Sequence, residues 1–275
     1  MTMLGVAFVP QLPPERLRAI AHTADEAGLE ELWLWEDCFR ESGIACAAAA
    51  LAWTGRLRVG VGLLPVPLRN VALTAMELAS LHRMFPDRVR VGVGHGEQTW
   101  MAQVGGRVES PMTLLREYVT ALRALLRGEE VTVSGRYVHL DRVALDWPPP
   151  SAPEVYVGGI GPRTLRLAAE VGDGTILTGG TPPDGVRDTA GRAIVYVHAA
   201  TGPDAAERLE AERIRWGYDS LTGRAVSGTA DAVAEGVQRW VDAGADTVVL
   251  QPTPDDTDPE GFVRFVARDV RPLVR

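Results

Sequence analysis

The sequence predicts an α/β protein of the (β/α)8 barrel class, and three observations carry that prediction. Strand-like apolar runs alternate with helical patterns eight times over 275 residues, about the length such a barrel occupies. Three segments repeat one junction: "ADEAGLEELWLWED" (24–37), "AAEVGDGTILTGG" (168–180) and "WVDAGADTVVLQPT" (240–253). In each, a helical run stops at Gly28, Gly172 or Gly244, an acidic residue follows, and an apolar run begins. Glycine suits the left-handed position that closes a helix, and a short apolar run suits a parallel strand buried on both faces. No Ser/Gly/Pro-rich linker divides the chain, so residues 1–275 read as a single domain.

Taken in order, the strands fall at 4–9, 31–36, 57–64, 89–94, 154–159, 174–179, 193–198 and 247–252, each an apolar or β-branched run bounded by turn residues. The helices between them fall at 14–27 (after Pro13-Pro14), 42–53, 71–83, 98–127 with a break near Pro111, 162–171, 183–191, 203–243 with a break around Ser227-Gly228, and 258–270. One piece interrupts the alternation. "EVTVSGRYVHLDRVALDWPPP" (130–150) alternates β-branched residues around Ser134-Gly135 and ends on prolines, which predicts a hairpin inserted between helix 4 and strand 5. Covering the barrel mouth and contacting a second subunit are both open to it.

Composition narrows the chemistry. All 28 basic residues are arginine, so mechanisms that need a lysine amine are excluded, among them Schiff-base aldolases, pyridoxal-phosphate enzymes and P-loop nucleotide hydrolases. A formal charge of −8 without a basic run argues against nucleic acid or an anionic membrane as partner. No apolar run approaches the roughly 20 residues of a membrane span, and the N-terminus has no basic, apolar leader, so a cytoplasmic protein is expected. Cys38 and Cys46, the only cysteines, suggest neither a disulfide scaffold nor a zinc site, and the five histidines lack HxH or HExxH spacing, so no metal is expected.

In a barrel of this class, chemistry sits where strands end at their C-terminal side. That rule selects Glu36-Asp37, Leu63-Leu64-Pro65, Gly94-His95-Gly96-Glu97, Gly158-Gly159-Ile160-Gly161, Gly179-Gly180, His198 and Gln251. His95 stands between two glycines that leave room for a flat ligand, and imidazole trades a proton near neutral pH, so it is the leading acid/base candidate. A bland alternative is a hydrogen bond to a neighbouring loop. Asp37 and Glu36 are adjacent, so only one faces the mouth while strand geometry lasts. The other would cap or orient the next segment. "VGGIGPRTLRLAAEVGDG" (157–174) is a glycine-rich turn opening a helix, whose free N–H groups and Arg163 suit a phosphate. Trp100 is a candidate pocket wall, while Trp33, Trp35, Trp53, Trp147, Trp216 and Trp240 read as core or interface. Without a nucleophile elbow, lysine or metal cage, this inventory favours a bound cofactor that brings its own chemistry.

The stretch "LWLWEDCFRESGIACAAAALAWTGRLRVGVGLLPVPLRNVALTAMELASLHRM", followed by "DRVRVGVGHG", resembles the bacterial luciferase-like superfamily. The likeness runs on through "SPMTLLREYVTALRALLRGEEVTVSGRYVHL" and "VYVGGIGPRTLRLAAEVGDGTIL" to about residue 180, and is nearest to the branch of coenzyme F420-dependent oxidoreductases that includes methylenetetrahydromethanopterin reductase. The resemblance implies a TIM barrel, a homodimer, and a tricyclic deazaflavin lying across the C-terminal mouth. It also implies a non-prolyl cis peptide at Gly62-Leu63 behind that ring. Cofactor-side positions would be Gly62, Leu63, Gly94, His95, Gly96, Gly158, Gly159, Ile160, Arg163, Gly179 and Gly180. The expected reaction is hydride transfer between deazaflavin and an electrophilic C=N, C=C or C=O carbon of a small organic substrate, with His95 and then Asp37 or Glu36 handling the proton. Two alternatives stand beside it: an FMN-dependent monooxygenase using oxygen, and a cofactor-binding barrel without turnover.

Overall fold

The computed structural model describes residues 2–275. In chain order its strands are β1 (Met3–Ala7), β2 (Glu31–Leu34), β3 (Arg58–Pro65), β4 (Val89–Gly94), β5 (Val131–Ser134), β6 (His139–Val143), β7 (Val155–Gly158), β8 (Gly174–Leu177), β9 (Arg192–Ala200), β10 (Ala225–Ser227) and β11 (Thr247–Pro252). Its α-helices are α1 (Leu17–Ala27), α2 (Gly43–Trp53), α3 (Val71–Met84), α4 (Gln98–Gln103), α5 (Pro111–Leu126), α6 (Pro162–Val171), α7 (Pro183–Arg187), α8 (Ala205–Trp216), α9 (Ala230–Asp242) and α10 (Pro259–Phe265). Strands β1, β2, β3, β4, β7, β8, β9 and β11 pair in parallel in that order, and β11 returns to β1, so the sheet closes. This is the eight-stranded α/β barrel that the alternation predicts.

Two differences from the sequence reading have physical causes. The break expected around Ser227-Gly228 in the 203–243 run is a short strand, β10, which pairs in parallel with the end of β9. Residues 198–199 of β9 pair with β11 on one side and β10 on the other, while residues 194–195 pair with β11 and β8. β10 therefore takes over the edge of β9 that β8 leaves. The second difference lies at Gly172, which has φ −92°, whereas Gly28 and Gly244 are left-handed at φ 80° and 100° as expected. Space is what requires glycine there, since a Cβ on Gly172 would lie 2.9 Å from the Ala168 carbonyl oxygen.

The inserted hairpin, β5 with β6, is present and packs on α5. The Glu117 carboxylate accepts N–H bonds from Arg136, Tyr137 and Val138 at 2.9, 2.9 and 3.0 Å, which fixes the hairpin turn to the helix.

A large core lies between strands and helices, and a smaller cluster fills the barrel itself: Ala7, Trp33, Trp35, Tyr156, Ile176, Ile194, Tyr196 and Val249. Glycine supplies the room these large side chains need. A Cβ on Gly60 would lie 2.4 Å from the Trp33 ring, and one on Gly92 would lie 2.2 Å from Ile176 Cδ1. Below them, at the N-terminal end, charges close the floor. Trp33 donates to Glu31 at 2.8 Å and Tyr156 donates to Glu154 at 2.7 Å. Arg90 reaches Glu31 at 3.5 Å and Glu154 at 3.3 Å, and Arg192 pairs with Glu154. Packed aromatics and a paired floor make the lower barrel a rigid plug, which leaves the upper end for a ligand.

Candidate active site

A cavity of about 810 Å³ opens at the C-terminal ends of the strands, in the range of small-molecule sites. The strand ends converge on it, because parallel strands present their final residues and following loops to one face of the barrel.

After β2 the chain turns outward, and Glu36 and Asp37 divide their tasks. Glu36 accepts the Gly43 N–H at 2.8 Å at the start of α2 and pairs with Arg69, so both of its oxygens are engaged by protein. Asp37 also lines the cavity but forms no ion pair. Burial pushes its carboxyl up to about 6, against the pull of Arg40, with Glu41 adding to the rise. An aspartate of this kind can exchange a proton in the mildly acidic range without a fixed partner.

At the end of β3 the peptide bond Gly62–Leu63 is cis, as the resemblance implies, and Cys38–Phe39 is a second non-prolyl cis bond. The register of β3 against β4 slips between Val61 and Leu64 across this step. Leu63 leans over the neighbouring strands: a Cβ on Gly94 or Gly158 would lie 2.7 or 2.4 Å from its Cδ2. Gly62, Leu63, Gly158 and Gly159 line the cavity, whereas Gly94 is buried beneath Leu63 and does not.

The turn after β4 places His95 and Gly96 in the wall. His95 Nδ1 is 3.2 Å from the Gly96 carbonyl, and its Nε2 is 3.5 Å from Thr164 Oγ1. Its ring is thus strung between its own loop and α6. Glu97 caps α4, accepting N–H bonds from Thr99 at 2.7 Å and Trp100 at 3.1 Å, and Trp100 walls the cavity. Across the mouth, Gly159 lets the turn after β7 press onto α6, since a Cβ there would lie 2.3 Å from Thr164 Cγ2. Ile160 and Gly161 face the cavity; Arg163, on the first turn of α6, is exposed and does not line it. After β8, Gly179 and Gly180 complete the ring of predicted positions.

Several cavity residues escape a reading by strand ends. Trp35 lines the site instead of lying wholly in the core, and Trp216 and Tyr218 come from the end of α8 and the segment before β10. Their rings stack at 6.5 Å, Trp216 donates to Glu212 at 3.0 Å, and Tyr218 donates to the Gly179 carbonyl at 2.6 Å. A long helical pattern over 203–243 hid them. Arg224 is the one guanidinium in the lining, and it is exposed. The hairpin contributes nothing to this wall, so it does not cover the mouth. Among the described residues, no group of three or more His, Cys, Asp or Glu side chains is arranged for a metal ion, and no helix is long and apolar enough to cross a membrane.

With this geometry in hand, comparisons place the chain. It is 30% identical to a 5,10-methylenetetrahydromethanopterin reductase of Methanolobus tindarius over 181 residues, 66% of this chain and 55% of that one, so it spans about half the length of that relative. It is 29% identical to an F420-dependent glucose-6-phosphate dehydrogenase of Kineococcus radiotolerans, over 98% of this chain and 96% of that one. Among solved structures, an F420-dependent secondary alcohol dehydrogenase in complex with an F420-acetone adduct superposes with a TM-score of 0.87 at 21% identity, covering 100% of this chain and 99% of the other. A family model described as luciferase-like monooxygenase matches residues 3–208, three quarters of the chain, and the protein belongs to that family.

Proposed function

We propose that the protein is an F420-dependent oxidoreductase that moves a hydride between the deazaflavin and an electrophilic carbon of a small organic substrate. One observation carries this reading: a side-chain-free cradle, Gly62, Gly158, Gly159 and Gly179, around a cavity of about 810 Å³ in a chain without lysine and, among the described residues, without a metal-binding cluster. A planar ring fits such a surface, and packing keeps it free of side chains, because Cβ atoms at these positions would strike Tyr196, Leu63, Thr164 or His198. Similarity to relatives named as F420-dependent enzymes supports the choice of cofactor.

The deazaflavin would supply or accept the hydride; the protein orients it and manages a proton. Leu63 and the glycine turns would bear the ring. Ile160 and Gly161 line the cavity at the start of α6, where unpaired N–H groups and the helix dipole would favour an anionic tail. Asp37 is the carboxyl free to hold a proton, and His95, tied to Gly96 and Thr164, would fix the loop and serve as the second acid/base group. Glu36 keeps α2 and Arg69 in place. A cytoplasmic homodimer acting on a small molecule is the setting we expect.

Side-by-side calorimetric titration of the purified protein with F420 and FMN tests this. F420 should bind at least tenfold more tightly, and reduced F420 should be consumed by an electrophilic substrate without oxygen uptake. Tighter FMN binding with oxygen uptake would instead establish a flavin monooxygenase, and F420 binding without turnover over a broad substrate panel would establish a binding protein.

A further inference from the structure

The redox reading leaves a set of buried polar groups in the cavity unused. Tyr196, His198 and Gln251 all line it from β9 and β11, and His198 and Gln251 are register partners on adjacent strands. Their exposures are 3%, 1% and 3%. Both His198 ring nitrogens have no hydrogen-bond partner within the protein, and the Tyr196 hydroxyl, beside the Trp35 indole, makes no well-formed one. Each is a desolvated polar atom whose missing partner a bound ligand group would supply. They lie close beneath the glycine lining: a Cβ on Gly62 would be 2.5 Å from the Tyr196 oxygen, and one on Gly179 would be 2.6 Å from His198 Nε2 and 3.2 Å from Gln251 Oε1.

The electrical character of this corner is neutral. Burial holds the His198 imidazole down to about 4, so at pH 7 it offers one N–H and one lone pair and no charge. The facing ionisable group is Glu212, 3.9 Å from Nδ1, whose carboxyl is raised by burial and which is already engaged by Trp216 and Arg215. The rest of the surround is aromatic, with Trp216 and Tyr218 at 6.2 and 5.7 Å from the imidazole. Elsewhere in the lining, Glu36 is paired with Arg69, Glu97 caps α4, and the guanidinium of Arg224 is exposed. An anionic substrate head would be desolvated at this corner without a buried cation to pair with, whereas an uncharged oxygen can both donate to and accept from these groups.

Resting on the redox reading of this cavity, we propose that Tyr196, His198 and Gln251 form a neutral hydrogen-bonding subsite for the oxygen of an uncharged alcohol or ketone, whose apolar body packs on Trp35, Trp216 and Tyr218. The subsite selects against phosphate esters and carboxylates of the same body.

Calorimetry tests this on the protein alone and on the protein saturated with oxidised F420, using four probes that share one ring: cyclohexanol, cyclohexanone, cyclohexyl phosphate and cyclohexanecarboxylate. In at least one of the two forms, the neutral pair should bind at least tenfold more tightly than the two anions. His198→Leu and Gln251→Leu are independent variants, each checked for native near-ultraviolet circular dichroism. Each should weaken the neutral pair about tenfold, near 1.4 kcal/mol, while F420 affinity stays within twofold. Anions binding as tightly as the neutral pair, no binding of the neutral pair in either form, or folded variants that hold the neutral pair within twofold would each overturn the proposal. Neutral-ligand binding that depends on His198 in a protein with no affinity for F420 or FMN would sink the redox reading and leave the subsite standing.

Discussion

The two ends of the barrel interior use the same kinds of side chain in opposite ways. At the floor, Glu154 takes Arg90, Arg192 and the Tyr156 hydroxyl, and Glu31 takes Trp33 and Arg90. At the mouth, Asp37 has no ion pair, and Tyr196 and His198 hold polar atoms without a well-formed hydrogen bond. Paired groups fix a shape, whereas unpaired buried groups hold interaction free energy in reserve for something that binds. Stability concentrates at one end of the barrel and recognition at the other.

The sharpest way to break that division is to open the floor. Trp33 is fully buried and fills the space that Gly60 leaves, so Trp33→Ala should cost about 3–5 kcal/mol of unfolding free energy, measured by urea denaturation. If the lower barrel is not the structural plug described above, the loss will be under about 1 kcal/mol.

A mouth substitution should do the reverse. Asp37 titrates near 6 in the fold against 3.8 when exposed, so between those values the folded chain keeps a proton that the unfolded chain has released. Stability contributed by this group therefore falls as pH rises from about 4 to about 6 and does not return above it. Asp37→Asn removes that loss and should stabilise the protein by about 2–3 kcal/mol at pH 7, with little change at pH 3.5. Denaturant titrations at the two pH values decide the matter, and equal effects at both would show that burial does not raise this carboxyl.

Gly158→Ala sharpens the comparison at smaller scale. The new Cβ meets the flexible end of Leu63, which lines the cavity and would be pushed into it, so stability should fall by less than about 1.5 kcal/mol while F420 affinity falls about tenfold. Unchanged affinity would place the ring elsewhere. The smallest effect belongs to Arg163→Ala, because Arg163 is exposed and outside the lining. Cofactor affinity should drop about threefold or less, within the 0.3–1 kcal/mol of a screened surface charge at a helix terminus.

How much of this was legible in the sequence follows from range of interaction. The eight barrel strands stood out because parallel strands buried on both faces are nearly unbroken apolar runs, and the hairpin stood out because its alternation has period two. β10 did not, since three residues within a long helical pattern carry no period of their own. Strand ends gave the addresses of Asp37, His95, Gly158, His198 and Gln251. They could not give partners: Arg69, which occupies Glu36 and so leaves Asp37 free, lies 33 residues away in sequence. Leu63 covering Gly94, and Trp216 and Tyr218 entering the cavity from beyond α8, are likewise products of tertiary packing that no local pattern encodes.

The handover on the edge of β9 has a consequence for how this scaffold can change. Because β10 continues the hydrogen bonding where β8 departs, the stave stays zipped on both sides up to its rim. Residues 217–224 can then be swapped, lengthened or randomised without unravelling the barrel, and a library confined to them is the economical route to new ligand preferences.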